Sequence, residues 1–191
     1  IILNYNGKDI IPPSLNSIKM LDYPKKKLET IVVDNASKDG SQDFIKKKYP
    51  FVRLVQIKKN KAYASMNEGI KKCTGKFCFI LNNDVELNPS CIKELVKTFY
   101  SVPNAAGSAP SIYETKKRKL LYTKKFISRS FYNGSIFTRN KKINTKDESY
   151  TGVPFLNVKI IKKLPYVFDP DYFIYVEDID LAYRLRLLGY V

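Results

Sequence analysis

FCFILNNDVE, residues 77–86, is the stretch that decides how this chain is expected to fold. It begins with five apolar residues, a run too short for an ordinary helix, which predicts a buried β-strand. Ligands of open parallel α/β sheets bind beyond the carboxyl ends of the strands, so Asp84 is placed to hold a hard divalent cation and, through it, phosphates. The alternative is a structural turn at Asn83 and Asp84 before a helix that is capped near Asn88 and begins at Pro89.

The first half of the chain alternates between short apolar strands and helical patterns. Strands are predicted at residues 1–3, 28–33, 51–57 and 77–81, and helices at 10–21, about 41–49, 60–72 and 89–103. Pro24, Pro50 and Pro103 end three of these helices, and Gly75 is expected to cap the fourth. This alternation predicts right-handed βαβ units and therefore an α/β fold, with a mostly parallel central sheet flanked by helices.

The second half of the chain is less regular. Residues 111–147 are basic and aromatic without a clean period, which is typical of a functional lid, a binding insertion or a partly mobile segment. A strand at 150–158 that contains Gly152 and a short helical piece around Lys162 and Lys163 are predicted next. The last predicted helix begins at residue 177, buries a stripe of leucines and ends at a C-cap glycine; these residues are Leu181, Leu185, Leu188 and Gly189.

Composition excludes several classes of protein. The 191 residues are 44% hydrophobic and 13% aromatic, which indicates a single globular domain with a core rather than a disordered chain. No apolar run approaches the roughly 20 residues that span a bilayer. The three cysteines fit no metal-ligand spacing and indicate reduced thiols of a cytoplasmic protein. Without histidine, proton transfer must fall to carboxylates, lysine, tyrosine or cysteine.

The net charge of +16 points to an anionic partner. Such a charge attracts nucleic acid, anionic lipid head groups or phosphorylated substrates. The lysine clusters are spread along the whole chain, however, and this favours solvated helix faces over one dedicated binding surface.

Acidic residues stand at the ends of three predicted elements. Asp34 follows the second strand and Asp84 the fourth, so both are expected to line one crevice at the carboxyl edge of the sheet. There the first would meet a ribose or base of a nucleotide and the second a metal on its diphosphate. The alternatives are structural: Asp34 as an Asx turn or N-cap, and Glu177-Asp178 as first-turn acids that the helix dipole stabilises by about 0.3–1 kcal/mol.

Together these motifs resemble a known family. In order and spacing they are similar to the inverting GT-A glycosyltransferases of family 2, particularly the rhamnosyltransferase-like branch that builds surface polysaccharides. The resemblance spans nearly the whole chain and rests on four motifs: Asn4-Tyr5-Asn6; Val32-Val33-Asp34-Asn35-Ala36-Ser37-Lys38-Asp39-Gly40-Ser41; Leu81-Asn82-Asn83-Asp84; and Glu177-Asp178-Ile179-Asp180-Leu181 with Arg184 and Gly189. It implies one GT-A (Rossmann-like) domain over residues 1–191, with nucleotide-sugar binding in about 1–103 and acceptor binding in about 104–191. Strands cut off at both ends suggest that this chain is truncated.

The resemblance also implies roles for single residues. The nucleotide side would comprise Leu3, Asn4, Tyr5, Asp34, Asn60, Asn67 and Asn83. Ala62 replaces the glycine that the family usually has after Asn60, and Asn82 replaces the first acid of its Asp-x-Asp metal motif. Asp84 would therefore be the main protein ligand to Mg²⁺ or Mn²⁺. Asp178 would be the catalytic base beside Glu177, and Gly152, Asp180 and Arg184 would lie on the acceptor side. From the residues alone, Asp180 and Arg184 at i,i+4 also fit a simple ion pair.

The implied function is transfer of a sugar from a UDP-, dTDP- or GDP-linked donor to a saccharide or lipid-linked acceptor. We expect a cytoplasmic enzyme, peripheral at the inner face of an anionic membrane, with no nucleic acid as partner. One alternative, a sugar-phosphate nucleotidyltransferase, needs a glycine-rich basic loop after the first strand, which Asn4-Tyr5-Asn6-Gly7 does not provide. The other, a basic nucleic-acid-binding module, needs aromatics interleaved with Lys and Arg, which only residues 113–137 offer.

Overall fold

A computed structural model describes residues 1–114, 119–122, 124–127, 133–136, 148–150 and 153–190 of the chain. The strands are β1 Ile2–Asn4, β2 Thr30–Asp34, β3 Val52–Gln56, β4 Phe77–Phe79, β5 Leu81–Asn82, β6 Gly107–Ser108, β7 Ile112–Glu114, β8 Lys119–Tyr122, β9 Lys124–Ile127, β10 Asn133–Ile136, β11 Glu148–Tyr150 and β12 Phe155–Asn157. The α-helices are α1 Ile11–Lys19, α2 Ser41–Lys48, α3 Met66–Lys72, α4 Cys91–Ser101, α5 Val158–Ile161 and α6 Glu177–Leu187. Short 3₁₀ helices cover Lys25–Lys27 and Ala62–Ser65.

The central sheet is parallel, in the order β3-β2-β1-β5. In this sheet Asn4 stands opposite Asp34, and Leu3 stands opposite Asn82. The carboxyl ends of β1, β2 and β5 therefore meet at one edge, as the βαβ pattern predicted. The predicted α/β fold with a parallel central sheet flanked by helices is confirmed.

The apolar run at 77–81 does not form one strand, and this part of the prediction is wrong. Its first part, β4, pairs antiparallel with β12, whereas its last part, β5, pairs parallel with β1. Between them Ile80 is fully buried and donates its N–H to the carbonyl of Pro154 at 2.9 Å. The run therefore links the central sheet to a second, antiparallel sheet of order β4-β12-β6.

Two apolar clusters cover the faces of the central sheet. Alternation along β2 sends Ile31 and Val33 into one cluster and Val32 into the other. The first cluster contains α3 and α6 through Met66, Ile70, Leu181 and Leu185; the second contains α1, α2 and α4 through Ile11, Leu15, Ile45, Ile92 and Leu95. Burial of these side chains, about 1.5–3 kcal/mol for each large aliphatic residue, holds the helices on the sheet and so fixes their ends at its edge.

The region predicted to lack regular structure contains antiparallel strands. Within residues 111–147 the structure describes the β7-β8 hairpin and strands β9 and β10, and β9 also pairs with β11. The prediction of irregular structure is therefore wrong for these residues. The predicted strand at 150–158 is divided between the end of β11 and β12, and the helical piece begins at Val158, earlier than expected. Gly152 lies outside the described residues.

Helix boundaries show smaller differences from the sequence predictions. Helix α4 begins at Cys91, after Pro89, while Asn88 Oδ1 accepts from the N–H of Ser90 at 3.1 Å. Gly75 is not a left-handed C-cap, since α3 ends at Lys72 and its C-cap residue, Cys73, has an extended backbone. Gly189 is left-handed, with a φ of 83°, as predicted. Leu188 is 53% exposed, so the predicted leucine stripe ends at Leu185.

The α-helices in the described ranges are all too short or too polar to span a lipid bilayer.

Candidate active site

Asn4 joins the strand ends in the middle of the sheet. Its side chain is fully buried, and its Nδ2 donates to Asp34 Oδ2 at 3.0 Å and to Ser41 Oγ at 3.0 Å. Its Oδ1 accepts from Asn83 Nδ2 at 3.1 Å. One amide thus connects β1, the end of β2, the start of α2 and the polar loop after β5. The structure places Asn4, Asp34 and Asn83, all predicted site residues, in direct contact.

Asp34 is fully buried, and both of its carboxylate oxygens are in use. Oδ1 accepts from the backbone N–H of Ser37 at 3.0 Å and from Gln42 Nε2 at 2.7 Å, while Oδ2 accepts from Asn4. The bond from Ser37 is the Asx turn that the sequence offered as an alternative. A ligand reaches Asp34 only if a neighbour such as Gln42 releases it.

Two loops at the sheet edge are hydrogen-bonded to each other. The N–H of Asn6 donates to Ser37 Oγ at 2.9 Å, and Asn6 Oδ1 accepts from the N–H of Lys38 at 2.8 Å. The N–H of Lys8 donates to Asp39 Oδ2 at 2.8 Å. The β1–α1 and β2–α2 loops therefore form one wall of the crevice.

Gly7 is required in this wall because there is no room for a side chain at this position. A Cβ at this position would lie 2.1 Å from Asn83 Nδ2 and 2.4 Å from Asn4 Oδ1. Its φ is not in the left-handed region, so close approach is the reason for glycine here.

Tyr5, at the carboxyl end of β1, is 51% exposed and so available to a ligand. Leu3 is partly buried and packs on the core beneath the edge.

The Asn35 side chain holds the turn at residues 60–65 by hydrogen bonds. Its Nδ2 donates to Asn60 Oδ1 at 2.7 Å, and its Oδ1 accepts from the N–H of Lys61 at 3.0 Å and from Ser65 Oγ at 2.5 Å. These bonds shape a turn in which Ala62 has a φ of 46°, the left-handed conformation that glycine adopts without strain. Glycine would adopt this conformation without strain, whereas Ala62 holds it here as an L-residue.

Tyr63 brings the two acidic regions together. Its hydroxyl donates to Asn82 Oδ1. Burial raises the pKa of Tyr63 to about 12; the bond to Asn82 opposes this, and the charges of Glu177, Asp178 and Asp84 add to it. The loop after β5 and the start of α6 thus lie within electrostatic reach of a single phenol. The acids predicted for the metal and for the base are brought to the same end of the sheet.

Helix α6 begins with one buried and one more accessible acid. Glu177 is 7% exposed, and no described residue donates a hydrogen bond to its Oε2. Burial raises the pKa of Glu177; a bond from its own N–H opposes this, and the charge of Asp178 adds to it. Asp178 Oδ1 accepts from the N–H of Ile179 at 2.9 Å. Val176, just before the helix, has a φ of 70°, which is strained for a β-branched residue.

Asn67 holds the segment that leads to these acids. Its Oδ1 accepts from the N–H groups of Val167 and Phe168, each at 3.0 Å, and its Nδ2 donates to the carbonyl of Phe168 at 2.6 Å. The sequence placed Asn67 beside the nucleotide, but these contacts give it a positioning role. Asn60, whose Oδ1 accepts from Asn35 and from the N–H of Ala62, is likewise used within the protein.

Arg184 and Asp180 support the same segment. The Arg184 guanidinium donates to the carbonyls of Tyr166 at 2.8 Å and Val167 at 2.6 Å. Its Nε donates to Asp180 Oδ2 at 2.8 Å, and its plane lies over the Tyr166 ring at 5.0 Å from the centroid. The ion pair predicted at i,i+4 is present. Both residues were expected on the acceptor side, and the structure shows them as anchors of the loop before α6.

Residues 1–163 match the model of Glycosyl transferase family 2. This chain belongs to that family. A curated relative is the dolichyl N-acetyl-alpha-D-glucosaminyl phosphate 3-beta-D-2,3-diacetamido-2,3-dideoxy-beta-D-glucuronosyltransferase of Methanococcus voltae, 26% identical over 98% of this chain and 60% of that protein. Another is the poly-beta-1,6-N-acetyl-D-glucosamine synthase of Staphylococcus epidermidis, 25% identical over 97% of this chain and 45% of that protein. The chain thus spans about half the length of these relatives.

Solved structures share the fold of this family 2 chain. TarS 1-349 of S. aureus in complex with UDP matches with a TM-score of 0.73 and 18% identity, over 98% of this chain and 54% of that one. The mannosyltransferase PcManGT of Pyrobaculum calidifontis, in complex with GDP-Man and Mn²⁺, matches with a TM-score of 0.71 and 18% identity, over 99% and 51%.

A metal in this family 2 domain would find two exposed carboxylates in the loop after β5, those of Asp84 and Glu86, of which Asp84 lies nearer to the end of the strand. Within the described ranges, no group of three or more His, Cys, Asp or Glu residues is arranged to hold an ion. Asn82 is a weaker candidate for a second ligand, because its Oδ1 already accepts from Tyr63. The residues fit a hard cation only if diphosphate and water oxygens complete its coordination.

Sequence reasoning missed two residues that build the site. Asn35 lay inside a quoted motif but received no role, although it is the hub of the 60–65 turn. Tyr63 received none because an aromatic residue in a helical pattern predicts a core position. The Ala62 replacement was the available signal, since it marked the turn that directs Tyr63 towards Asn82.

Proposed function

We propose that this chain is the donor-binding domain of an inverting glycosyltransferase. It would transfer a sugar from a UDP-, dTDP- or GDP-linked donor to a hydroxyl of a saccharide or lipid-linked acceptor, in cell-surface polysaccharide or glycolipid synthesis. The observation that carries this proposal is the polar group at the edge where β1, β2 and β5 end, where the Asn4 amide bonds to both Asp34 and Asn83 and Asp84 follows directly. Membership of family 2 supports sugar transfer as the reaction class.

On the donor side, Tyr5, Asn83 and the loops around Asn4 and Asp34 would form the nucleotide pocket. Asp84 would hold Mg²⁺ or Mn²⁺, which supplies charge neutralisation for the departing diphosphate. Asn4, Asn60 and Asn67 would act by shaping the walls, since their amides already bond to protein atoms. Asp34 would contact the nucleoside only if Gln42 moves away.

On the acceptor side, Asp178 would take the proton from the acceptor hydroxyl as its oxygen attacks the anomeric carbon. The bond between that carbon and the diphosphate oxygen breaks on the opposite face, so the configuration inverts and the nucleoside diphosphate leaves. Glu177, buried with a raised pKa, would lie beside the base. Asp180, Arg184 and Gly152 would belong to this side, the first two by anchoring the loop before α6.

The central test is calorimetry with UDP, dTDP and GDP in the presence of Mn²⁺. Wild-type protein should bind at least one of them, and binding of none would overturn the donor site. Asp178→Asn should keep that affinity and lose transfer by about 10²–10⁴-fold. The matched control is Asp171→Asn, an exposed acid in the preceding loop, which should transfer normally. Transfer by Asp178→Asn at the wild-type rate would contradict the assignment of Asp178 as the base. A product with the same anomeric configuration as the donor would contradict an inverting reaction.

We further propose the rhamnosyltransferase-like branch, on the order of the four motifs, and peripheral contact with an anionic membrane at its cytoplasmic face. The membrane proposal rests on the net charge of +16 and on exposed apolar side chains next to the candidate base, at Tyr172, Phe173, Ile174, Tyr175 and Val176. Co-flotation with vesicles containing phosphatidylserine, lost at high salt and absent with neutral vesicles, tests it. Salt-sensitive binding to a random oligonucleotide without any nucleotide binding would favour a nucleic-acid module instead.

A further inference from the structure

Tyr63 occupies a junction that the catalytic scheme does not use. It lies in the 3₁₀ helix directly after the left-handed Ala62, and its ring contacts Phe168 edge-on at 5.6 Å between centroids. Phe168 is almost fully buried, and its backbone is held by Asn67. The phenol is therefore fixed by packing on one side, while its hydroxyl reaches Asn82, the last residue of β5.

The hydrogen bond from Tyr63 decides how Asn82 is presented. An amide side chain has an acceptor oxygen and a donor nitrogen. The Tyr63 hydroxyl donates to Asn82 Oδ1, and no described residue accepts from Asn82 Nδ2. A hard cation requires oxygen, so an amide whose oxygen is held by a hydrogen bond is a poorer ligand for a metal, whereas its N–H groups remain donors for an anion.

The surroundings of the Tyr63 phenol maintain its hydrogen bond to Asn82. Burial, together with the charges of Glu177, Asp178 and Asp84, keeps the Tyr63 proton in place well above neutral pH. A tyrosine that stays neutral remains a donor, and Asn82 Oδ1 is its partner in the structure.

We propose that Tyr63 is a positioning residue that locks the Asn82 amide with its oxygen towards the protein, so that Asn82 serves the nucleotide as an N–H donor and is withheld from the metal. This inference rests on the proposed function, because the anion is the nucleotide donor. It explains how a loop with asparagine in place of the family's first acid keeps a role in the site. It also leaves the cation to the carboxylate of Asp84, two residues further along the chain.

The experiment compares Tyr63→Phe with wild type in two separate titrations. For the nucleotide in the absence of metal, Tyr63→Phe should bind about 2–12-fold more weakly, the fold-change that corresponds to one net neutral hydrogen bond. For Mn²⁺ in the absence of nucleotide, followed by its EPR signal, Tyr63→Phe should bind more tightly than wild type, because Asn82 becomes free to turn its oxygen outward. A merely structural loss would weaken both, so the opposite signs are the signature.

A double-mutant cycle with Asn82→Ala completes the test. Asn82→Ala should weaken nucleotide binding as much as Tyr63→Phe, and the double variant no further, since both remove one interaction. Tyr100→Phe, an exposed tyrosine of α4, is the control and should match wild type in both titrations. Additive losses, or a fall in both affinities, would overturn the assignment of Tyr63. A wild-type protein that binds none of UDP, dTDP and GDP would instead overturn the proposed function and this inference with it.

Discussion

Asn4 Nδ2 lies 3.0 Å from Asp34 Oδ2, and both side chains are fully buried. The two residues stand opposite each other where β1 and β2 end. Their hydrogen bond joins two neighbouring parallel strands side chain to side chain, at the edge that carries the candidate site. It also satisfies a carboxylate oxygen that has no access to water. The crevice is therefore built on a buried polar pair.

Removing the Asn4 amide should destabilise the protein. Asn4→Ala removes one hydrogen-bond partner from each of Asp34, Ser41 and Asn83, so we expect a loss of about 1–3 kcal/mol in the free energy of unfolding. Urea denaturation measures this, and Asn16→Ala on the exposed side of α1 should change it by less than about 0.5 kcal/mol. Equal stability of the two variants would show that the buried network contributes little.

Two alanines in left-handed conformations predict stabilising substitutions. Ala36 and Ala62 have φ values of 66° and 46°. A left-handed L-residue costs about 1–2 kcal/mol, whereas glycine avoids this cost but loses about 0.4–1 kcal/mol through the entropy of the unfolded chain. Ala36→Gly and Ala62→Gly should each raise stability by about 0.5 kcal/mol in thermal unfolding. Ala64→Gly, two residues on at a negative φ, should lower it, and a similar decrease in all three would refute this account.

Glu177 should make stability depend on pH in a defined direction. Its folded pKa is raised, mainly by burial, so the folded state holds the proton more tightly than the unfolded state. The contribution of Glu177 is therefore complete below its ordinary pKa and is lost as pH rises through the folded value. Glu177→Gln should be more stable than wild type at pH 7 by about 1 kcal/mol, and the gain should vanish near pH 4. Glu94→Gln, on the exposed side of α4, is the control, and a gain independent of pH would contradict this assignment.

Tyr63 predicts a loss of stability at alkaline pH. Its folded pKa of about 12 exceeds the ordinary value of about 10 for tyrosine. The folded state keeps the proton where the unfolded state has lost it, so this contribution is present below pH 10 and disappears between pH 10 and 12. Relative to Tyr63→Phe, wild type should lose about 1 kcal/mol between pH 9 and pH 11 in urea denaturation. A constant difference between the two over this range would mean that the phenol is not shielded.

Asp84 should control metal binding, and only together with nucleotide. One carboxylate gives weak affinity, so Mn²⁺ should bind wild type weakly alone and at least about 10-fold more tightly once the nucleoside diphosphate is present. Asp84→Asn should abolish that increase, whereas Glu86→Gln, an exposed acid of the same loop, should retain it. Tight Mn²⁺ binding without nucleotide, measured by EPR, would contradict the idea of a single-carboxylate site.

Much of the fold could be predicted because the first half of the chain has strong local signals of secondary structure. Apolar runs of strand length, separated by helical periods and ended by prolines, gave the parallel sheet and placed Asn4, Asp34 and Asp84 at its carboxyl edge. The division of residues 77–81 could not be read in this way. Phe79 and Leu81 are equally apolar, and they pair with different residues, Phe155 and Ile2, which are distant in sequence.

The sequence predicted which residues lie at the site better than it predicted what each of them does there. Carboxylates at strand and helix ends are visible in a sequence, whereas the direction of an amide is decided by what packs around it. Asn67 lies on α3, and only the folded chain shows that its amide faces Val167 and Phe168. For the same reason Tyr63 and Asn35 had no recognisable pattern, although they connect the elements that carry the acids.

The division of residues 77–81 between two sheets also affects the order in which the parts of this domain can fold. Strands β1, β2 and β3 all lie before Ser65 and are joined by single helical crossovers, so we expect the parallel scaffold to form early as the chain leaves the ribosome. Phe79 must wait for Phe155, a contact across a long stretch of chain whose closure is slow. Until that contact forms, Ile80 is not seated, and the loop that carries Asp84 has no fixed starting point. A nascent chain thus acquires its framework first and the geometry of its crevice last.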